Sequence, residues 1–224
     1  LFGEQCTADH VFSANTISQG LGGQKYAVLI YDRATRWRTF VPTCEKDYSA
    51  AVRGLMKHGG PRAGDCRFHC DNAMELRKAA AVMHWTIDKS IPYVSESNGV
   101  IERQDGVVYE GLRTCLECAG LAPQFWPLAG EYFCDATNIG FRDPTVEHGL
   151  DRDCPYFRRF HQVWKWHRVP FGALVDFVPN AKWQRENVPK AGTRTVPGIF
   201  LGYEFQDGAR FRQKYRVCPL SVFE

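Results

Sequence analysis

Three acidic residues, each in its own local string, are the part of this chain whose types and spacing could do chemistry. They are Asp9 in Cys6-Thr-Ala-Asp-His-Val-Phe12, Asp71 in Phe68-His-Cys-Asp-Asn-Ala-Met-Glu75, and Glu102 in Asn98-Gly-Val-Ile-Glu-Arg103. Two sit at or beside strand-like runs, and the third opens a helical pattern. Carboxylates brought to one point repel unless cations neutralise them. Two divalent ions, Mg²⁺ or Mn²⁺, roughly 3.5–4 Å apart would do so, one activating a hydroxyl or water and the other stabilising the leaving oxygen of a phosphodiester. Spacing alone fits a plainer reading equally well, with two strand-end residues and a first-turn helix acid favoured by the macrodipole.

The elements that must position these acids can be read along the chain. Cys6–Ala14 is strand-like, Lys25–Asp32 is a continuous apolar run of buried-strand length, and Trp37–Val41 returns as a third strand after the turn at Arg33–Arg36. Asp47–His58 reads as a helix with Tyr48, Val52, Leu55 and Met56 on one face, stopped by Gly59-Gly60-Pro61. A short strand at Cys66–Cys70, a helix at Ala73–Trp85, a fifth strand at Ser90–Val94 and a long helix from Asn98 to Ala119 follow. That last helix carries Val100, Val107, Leu112, Cys115 and Ala119 at helical spacing, with Gly106 and Gly111 inviting a bend. The order β-β-β-α-β-α-β-α predicts one α/β layer structure, with the first strand central and the strand at Cys66–Cys70 beside it.

Beyond it, Leu121–Asn138 adds helix, Gly140–Pro155 is polar and loop-like, and Phe171–Val178, Val196–Glu204 and Gln213–Val217 read as strands. The expected organisation is a catalytic core over 1–138, a linker over 139–165 and a small basic β-rich region over 166–224.

Composition permits this reading without forcing it. At 224 residues, 44% hydrophobic and 24% charged, the chain can bury one good core. No apolar run approaches the ~20 residues that span a bilayer, so no membrane partner is expected. The chain starts at Leu1 without a secretory pattern, which suggests a piece of a longer polypeptide. Nine scattered cysteines point to reduced thiols rather than a disulfide framework. Residues 151–224 hold 13 Lys/Arg and 7 Asp/Glu, leaving 15 and 18 of the total 28 and 25 for residues 1–150. An acidic part followed by a basic one suits an enzyme of polyanions.

With these strings in hand, the chain resembles the integrase of copia-type retrotransposons, within the DDE-type, RNase H-like polynucleotidyl transferases. The matching segments are Thr7-Ala-Asp9, Ile30-Tyr-Asp-Arg-Ala-Thr-Arg-Trp37, Cys70-Asp-Asn72 with Glu75, Pro92-Tyr93, and Asn98-Gly-Val-Ile-Glu-Arg103. Downstream, Pro170-Phe-Gly172 and Pro197-Gly-Ile-Phe-Leu-Gly-Tyr203 resemble the family's stretch beyond its core. The resemblance implies an RNase H-like mixed five-stranded sheet flanked by helices, with a small β-rich C-terminal extension. It implies Asp9, Asp71 and Glu102 as catalytic metal ligands for two Mg²⁺ or Mn²⁺ ions. Asp32, a rival for the first position, belongs to a family signature that is not a ligand. DNA 3′-end processing and strand transfer, a homo-oligomer acting on element ends and target DNA, and a nuclear location follow from the same resemblance.

DNA contacts are expected at Asn98 and Arg103, and at Arg158, Arg159, Lys165 and Arg168 of the aromatic-basic stretch. The aromatics of that stretch are read chiefly as core.

There are departures. Only 30 residues separate Asp71 from Glu102, fewer than is usual, and Gly106 stands where related integrases often place a DNA-contacting Lys. Two alternatives therefore stay open: an inactive DNA-binding relic of the fold, and a purely structural module of a polyprotein. Cys115 and Cys118, despite zinc-like spacing, read as core thiols because no matching Cys/His pair follows. His10 reads as structural rather than as a general base.

Overall fold

A computed structural model describes residues 1–12, 19–61, 66–70, 73–89, 99–140, 154–179, 182, 186, 189 and 191–222. Asp71, Asn98, the expected strand at 90–94 and most of the expected loop at 140–155 lie outside the described residues. The chain runs β1 (Cys6–Phe12), β2 (Tyr26–Asp32), β3 (Arg38–Thr43), α1 (Tyr48–Gly59), β4 (Arg67–Cys70), α2 (Met74–Val82), β5 (Thr86–Lys89), α3 (Gly99–Ala119), α4 (Trp126–Gly140), α5 (Pro155–Phe160), β6 (Leu174–Phe177), β7 (Val196–Gln206) and β8 (Arg210–Pro219). The first eight elements follow the order expected. The fifth strand, however, falls at Thr86–Lys89, immediately after α2, because Trp85 and Ile87 complete the apolar cluster around Phe68.

One sheet has the order β3-β2-β1-β4-β5 and the other β6-β7-β8. Strand β1 pairs antiparallel with β2 and parallel with β4, so it is central and mixed, as expected. Period-2 alternation divides its side chains between two layers. Cys6 and Ala8 pack with α1 and α2 through Ala51, Leu55, Leu76, Ala79 and Ala80, whereas Val11 packs with α3 and α4 through Ile101, Val108, Leu112 and Ala129. Asp9 shares the parity of Val11 and therefore the α3 face.

Helix α1 starts at Asp47, whose side chain accepts from Ala50 N–H at 2.8 Å, and ends at Gly60, at φ +82°. Its buried face is Ala50, Ala51, Gly54, Leu55 and His58, with the expected Val52 and Met56 partly buried against the same cluster. Tyr48 is exposed; the small residues win because Gly54 lies against Val28 of β2.

Helix α3 runs unbroken through both glycines, and its buried stripe is Ile101, Gln104, Val108, Leu112 and Leu116. The expected stripe through Val100 and Val107 is thus rotated by one position, and Val107 faces solvent.

The second sheet packs directly on the first layer structure. Leu201 and Phe171 join the α3/α4 cluster, while Trp37 of the β2–β3 turn lies among Tyr156, Trp164, Phe200 and Phe205. The aromatics of the aromatic-basic stretch are therefore core. Glu131 of α4 pairs with Lys57 of α1 and Arg216 of β8, tying three elements together.

Candidate active site

Asp9 lies on the central strand opposite Leu29, partly buried, and its Oδ1 accepts from the N–H of His10 at 2.6 Å. Its neighbour Ala8 pairs with Cys70, the last residue of β4 and the one preceding Asp71. Glu102 is exposed in the first turn of α3, where the helix dipole favours an anion. The rotation of α3 is fixed by buried Gln104, whose Oε1 accepts from Arg38 Nε at 2.8 Å. Asn138 of α4 then clasps the Arg38 backbone, accepting from its N–H at 2.9 Å and donating to its carbonyl at 2.6 Å.

One turn after Glu102 stands an acid that sequence reasoning missed, Asp105. It follows Ile101 by four residues and precedes Val108 by three, and it is half-buried at the side of the buried stripe. Its Oδ1 is buried without a hydrogen-bond partner. Burial first, then the charges of Asp9 and Glu102, push its pKa up to about 7. Strand β1 and helix α3, which carry Asp9 and Glu102, pack on each other through Val11, Ile101 and Val108. The signal in the sequence was an acid interrupting the apolar spacing of Ile101, Val108 and Leu112.

The rival Asp32 is fully buried and saturated. It accepts from Gly3 N–H, from Thr35 N–H and from Thr35 Oγ1, each at 2.7 Å, and from the Cys6 thiol at 3.4 Å. It thereby organises the Arg33–Arg36 turn. Buried His10 lies 3.8 Å from Glu75, which also pairs with Lys46.

Among the described residues no three His, Cys, Asp or Glu side chains converge tightly enough to hold an ion. The donor chemistry still suits one: hard carboxylate oxygens, an orphaned buried Oδ1, and mutual repulsion that a cation would relieve.

The basic candidates are distributed differently. Arg103 and Lys165 are exposed and Arg158 is half-buried. Arg159 is drawn inward: its guanidinium lies 3.6 Å from the Phe2 ring centroid and 4.8 Å from that of Trp37, and donates to the carbonyls of His58 at 2.5 Å and Gly208 at 3.1 Å. Burial lowers its pKa to about 9. Arg168 donates to the carbonyl of Ile139 near the end of α4 at 3.1 Å. The contacts of Arg159 and Arg168 thus hold the aromatic-basic stretch against the core, at places other than the acids. None of the nine cysteines is in a disulfide, and Cys118 is exposed rather than in the core; with half-buried Cys115 it lines a cavity of about 650 Å³ together with Tyr132, Phe171 and Tyr203.

No known protein-family profile matches the chain. It is 25% identical over 203 residues to the retrovirus-related Pol polyprotein from transposon TNT 1-94 of Nicotiana tabacum, covering 83% of this chain and 14% of that polyprotein. It superposes with a TM-score of 0.53, at 12% identity, on a chain of the simian T-cell lymphotropic virus intasome bound to PP2A regulatory subunit B56 gamma, covering 98% of this chain and 77% of that one. The chain is similar to an integrase-type domain. The copia pattern of its motifs fits, and the mixed five-stranded sheet with a second antiparallel sheet is the RNase H-like architecture expected. The catalytic core of BIV integrase also aligns, at 14% identity and a TM-score of 0.46 over 69% of this chain and 91% of that one. The chain spans about one-seventh of the curated polyprotein it matches. No helix among its described residues is long and apolar enough to cross a membrane.

Proposed function

We propose that this domain carries out integrase chemistry on retroelement DNA, namely metal-dependent 3′-end processing followed by strand transfer. The observation that supports it best is that Asp9 stands on the central strand, on the face covered by α3, and that α3 carries Glu102 in its first turn. Asp71, which follows Cys70, is the third ligand in this reading. These acids would hold two Mg²⁺ or Mn²⁺ ions, which supply charge neutralisation and Lewis acidity toward the phosphodiester.

The protein's own contributions are positional. The parity of β1 aims Asp9 at the α3 layer, and the Gln104–Arg38 and Asn138–Arg38 hydrogen bonds hold α3 and α4 against β3. No Ser or Cys nucleophile is needed when a DNA 3′-hydroxyl attacks in line.

DNA would be held through its backbone by Asn98, Arg103, Arg158, Lys165 and Arg168, and hence in a salt-sensitive manner. Arg159 enters this reading as a strut that presents Arg158. A homo-oligomer acting in the nucleus on element ends and target DNA completes the proposal.

The test is strand transfer of a labelled, pre-processed DNA end into plasmid, with Mn²⁺ or EDTA, for wild type, Asp71→Asn and Glu102→Gln. Joined product that needs metal and disappears in both variants is expected. Folded protein that binds DNA but yields no product in any condition would overturn the catalytic reading and leave an inactive relic.

A further inference from the structure

We infer that the seam between the end of α1 and the β7–β8 turn is a binding site for a phosphate group, built from Arg159, Arg210 and Arg212. These three arginines line one cavity of about 940 Å³, together with Gly60 and Gly208. Arg210 and Arg212 stand two residues apart on β8, and both are exposed. Among the described residues neither has an ion pair. Asp207 is the acid among the described lining residues, so three cations face one anion.

Arg159 supplies an observation that a strut alone leaves over. Its Nη2 donates to the carbonyls of His58 and Gly208, and its guanidinium lies against the rings of Phe2 and Trp37. Its Nη1, however, is buried without a hydrogen-bond partner. With a pKa of about 9 the group is still a cation at neutral pH, and no carboxylate among the described residues pairs with it. A desolvated cation lacking a counter-charge is costly, and carbonyls and ring faces offset only part of that cost. An anion in the cavity supplies what is missing.

The donors select the kind of anion. Guanidinium forks match phosphate oxygens bidentately, and Arg210 and Arg212 can offer such forks from the rim above a floor kept positive by Arg159. Backbone rather than side chain forms the seam itself, since a β-carbon on Gly60 would lie 3.0 Å from the Cα of Gly208. The cavity has room for a free phosphate or for one carried in a DNA backbone.

The test is thermal melting and calorimetry of the full chain with inorganic phosphate, against acetate and chloride at equal ionic strength. Phosphate should raise the melting temperature above both references. Arg210→Ala and Arg212→Ala, exposed and so unchanged in chloride, should each weaken phosphate binding about fivefold or more. Lys214→Ala, which removes the same charge from an exposed position of β8 outside the cavity, should stay within about twofold.

Equal losses in all three variants would mean that net charge alone attracts the anion, and the inference would fall. It would fall equally if phosphate did no more than acetate or chloride. Anisotropy of a labelled duplex identifies the source once phosphate binding is established. Duplex affinity that falls further in the two arginine variants than in Lys214→Ala assigns the site to a backbone phosphate, and equal affinities assign it to free phosphate. Neither metal nor strand transfer enters these measurements, so their outcome is separate from that of the integrase reading.

Discussion

Gly111 of α3 stands so close to the ring of Phe133 of α4 that a β-carbon placed there would lie 2.2 Å from it. The long helix therefore keeps this glycine for packing, not for bending. Gly106, five residues earlier, has nothing within 4 Å of such a carbon.

The two glycines should respond in opposite directions. Gly111→Ala forces apart two packed helices and should cost about 1–3 kcal/mol. Gly106→Ala, in an exposed helix interior, should gain roughly 1 kcal/mol. Urea unfolding of both variants measures this; two shifts of the same sign would be incompatible with the packing described.

Arg159 and Lys165 were both expected to contact DNA, and the structure separates them. Arg159→Ala removes a buried cation packed on Phe2 and Trp37 together with two hydrogen bonds, and should lower stability by about 2–3 kcal/mol. Lys165→Ala is exposed and should leave the melting curve in place while reducing the salt slope of DNA binding by about 1. Fluorescence anisotropy across a salt series, run beside thermal melts, distinguishes the two effects.

Glu131 is flanked by Lys57 and Arg216. Burial pushes its carboxyl up, but the two cations outweigh this and hold it below the usual carboxylate range. Replacing it with Gln strands two part-buried cations, so Glu131→Gln should cost about 3 kcal/mol. A loss below about 0.5 kcal/mol in denaturant melts would mean that the α1–α4–β8 tie is solvated.

Two buried groups should make stability depend on pH in opposite senses. His58 is fully buried, with Nδ1 2.8 Å from Thr39 Oγ1; burial, and then Arg159, hold its pKa well below the ordinary value. The unfolded chain binds the proton more readily, so stability is lost as pH drops below ~6.5. Asp135 is shifted the other way, up to about 8, chiefly by burial. The folded chain then binds the extra proton between ~4 and about 8, and stability declines as pH rises through that window. His58→Gln should flatten the loss below ~6.5 and Asp135→Asn the decline between ~4 and about 8, both read from melting temperature against pH.

Much of the architecture was legible because strand and helix periodicities are local. The run Tyr26–Asp32 could only be a buried strand, and the place of β1 beside β4 followed from the order of elements. What was not legible turned on which face of a helix is buried. On α1 the small residues Ala50, Ala51 and Gly54 outcompeted the larger Tyr48 and Val52, because a close approach to Val28 needs small side chains. On α3 the stripe was placed one position away, through Val100 and Val107, and that rotation hid Asp105 among solvent-facing residues.

At the site, Asp9 and Glu102 were readable from their flanking strings. Gln104 and Asn138 were not, since a buried amide is recognisable only once its partner across the fold, here Arg38, is known. The fifth strand was displaced because Pro92 drew the extended segment later than Trp85 and Ile87 place it.

Trp37 is reached from three directions, by Tyr156 and Phe160 of α5, by Phe205 of β7 and by the guanidinium of Arg159. Any protein fragment that keeps the first sheet but stops before β7 would therefore present an indole to water. Such a fragment should be recovered as aggregate, or as a chain that borrows β7 from a neighbouring copy, whereas one reaching residue 222 should stay dispersed.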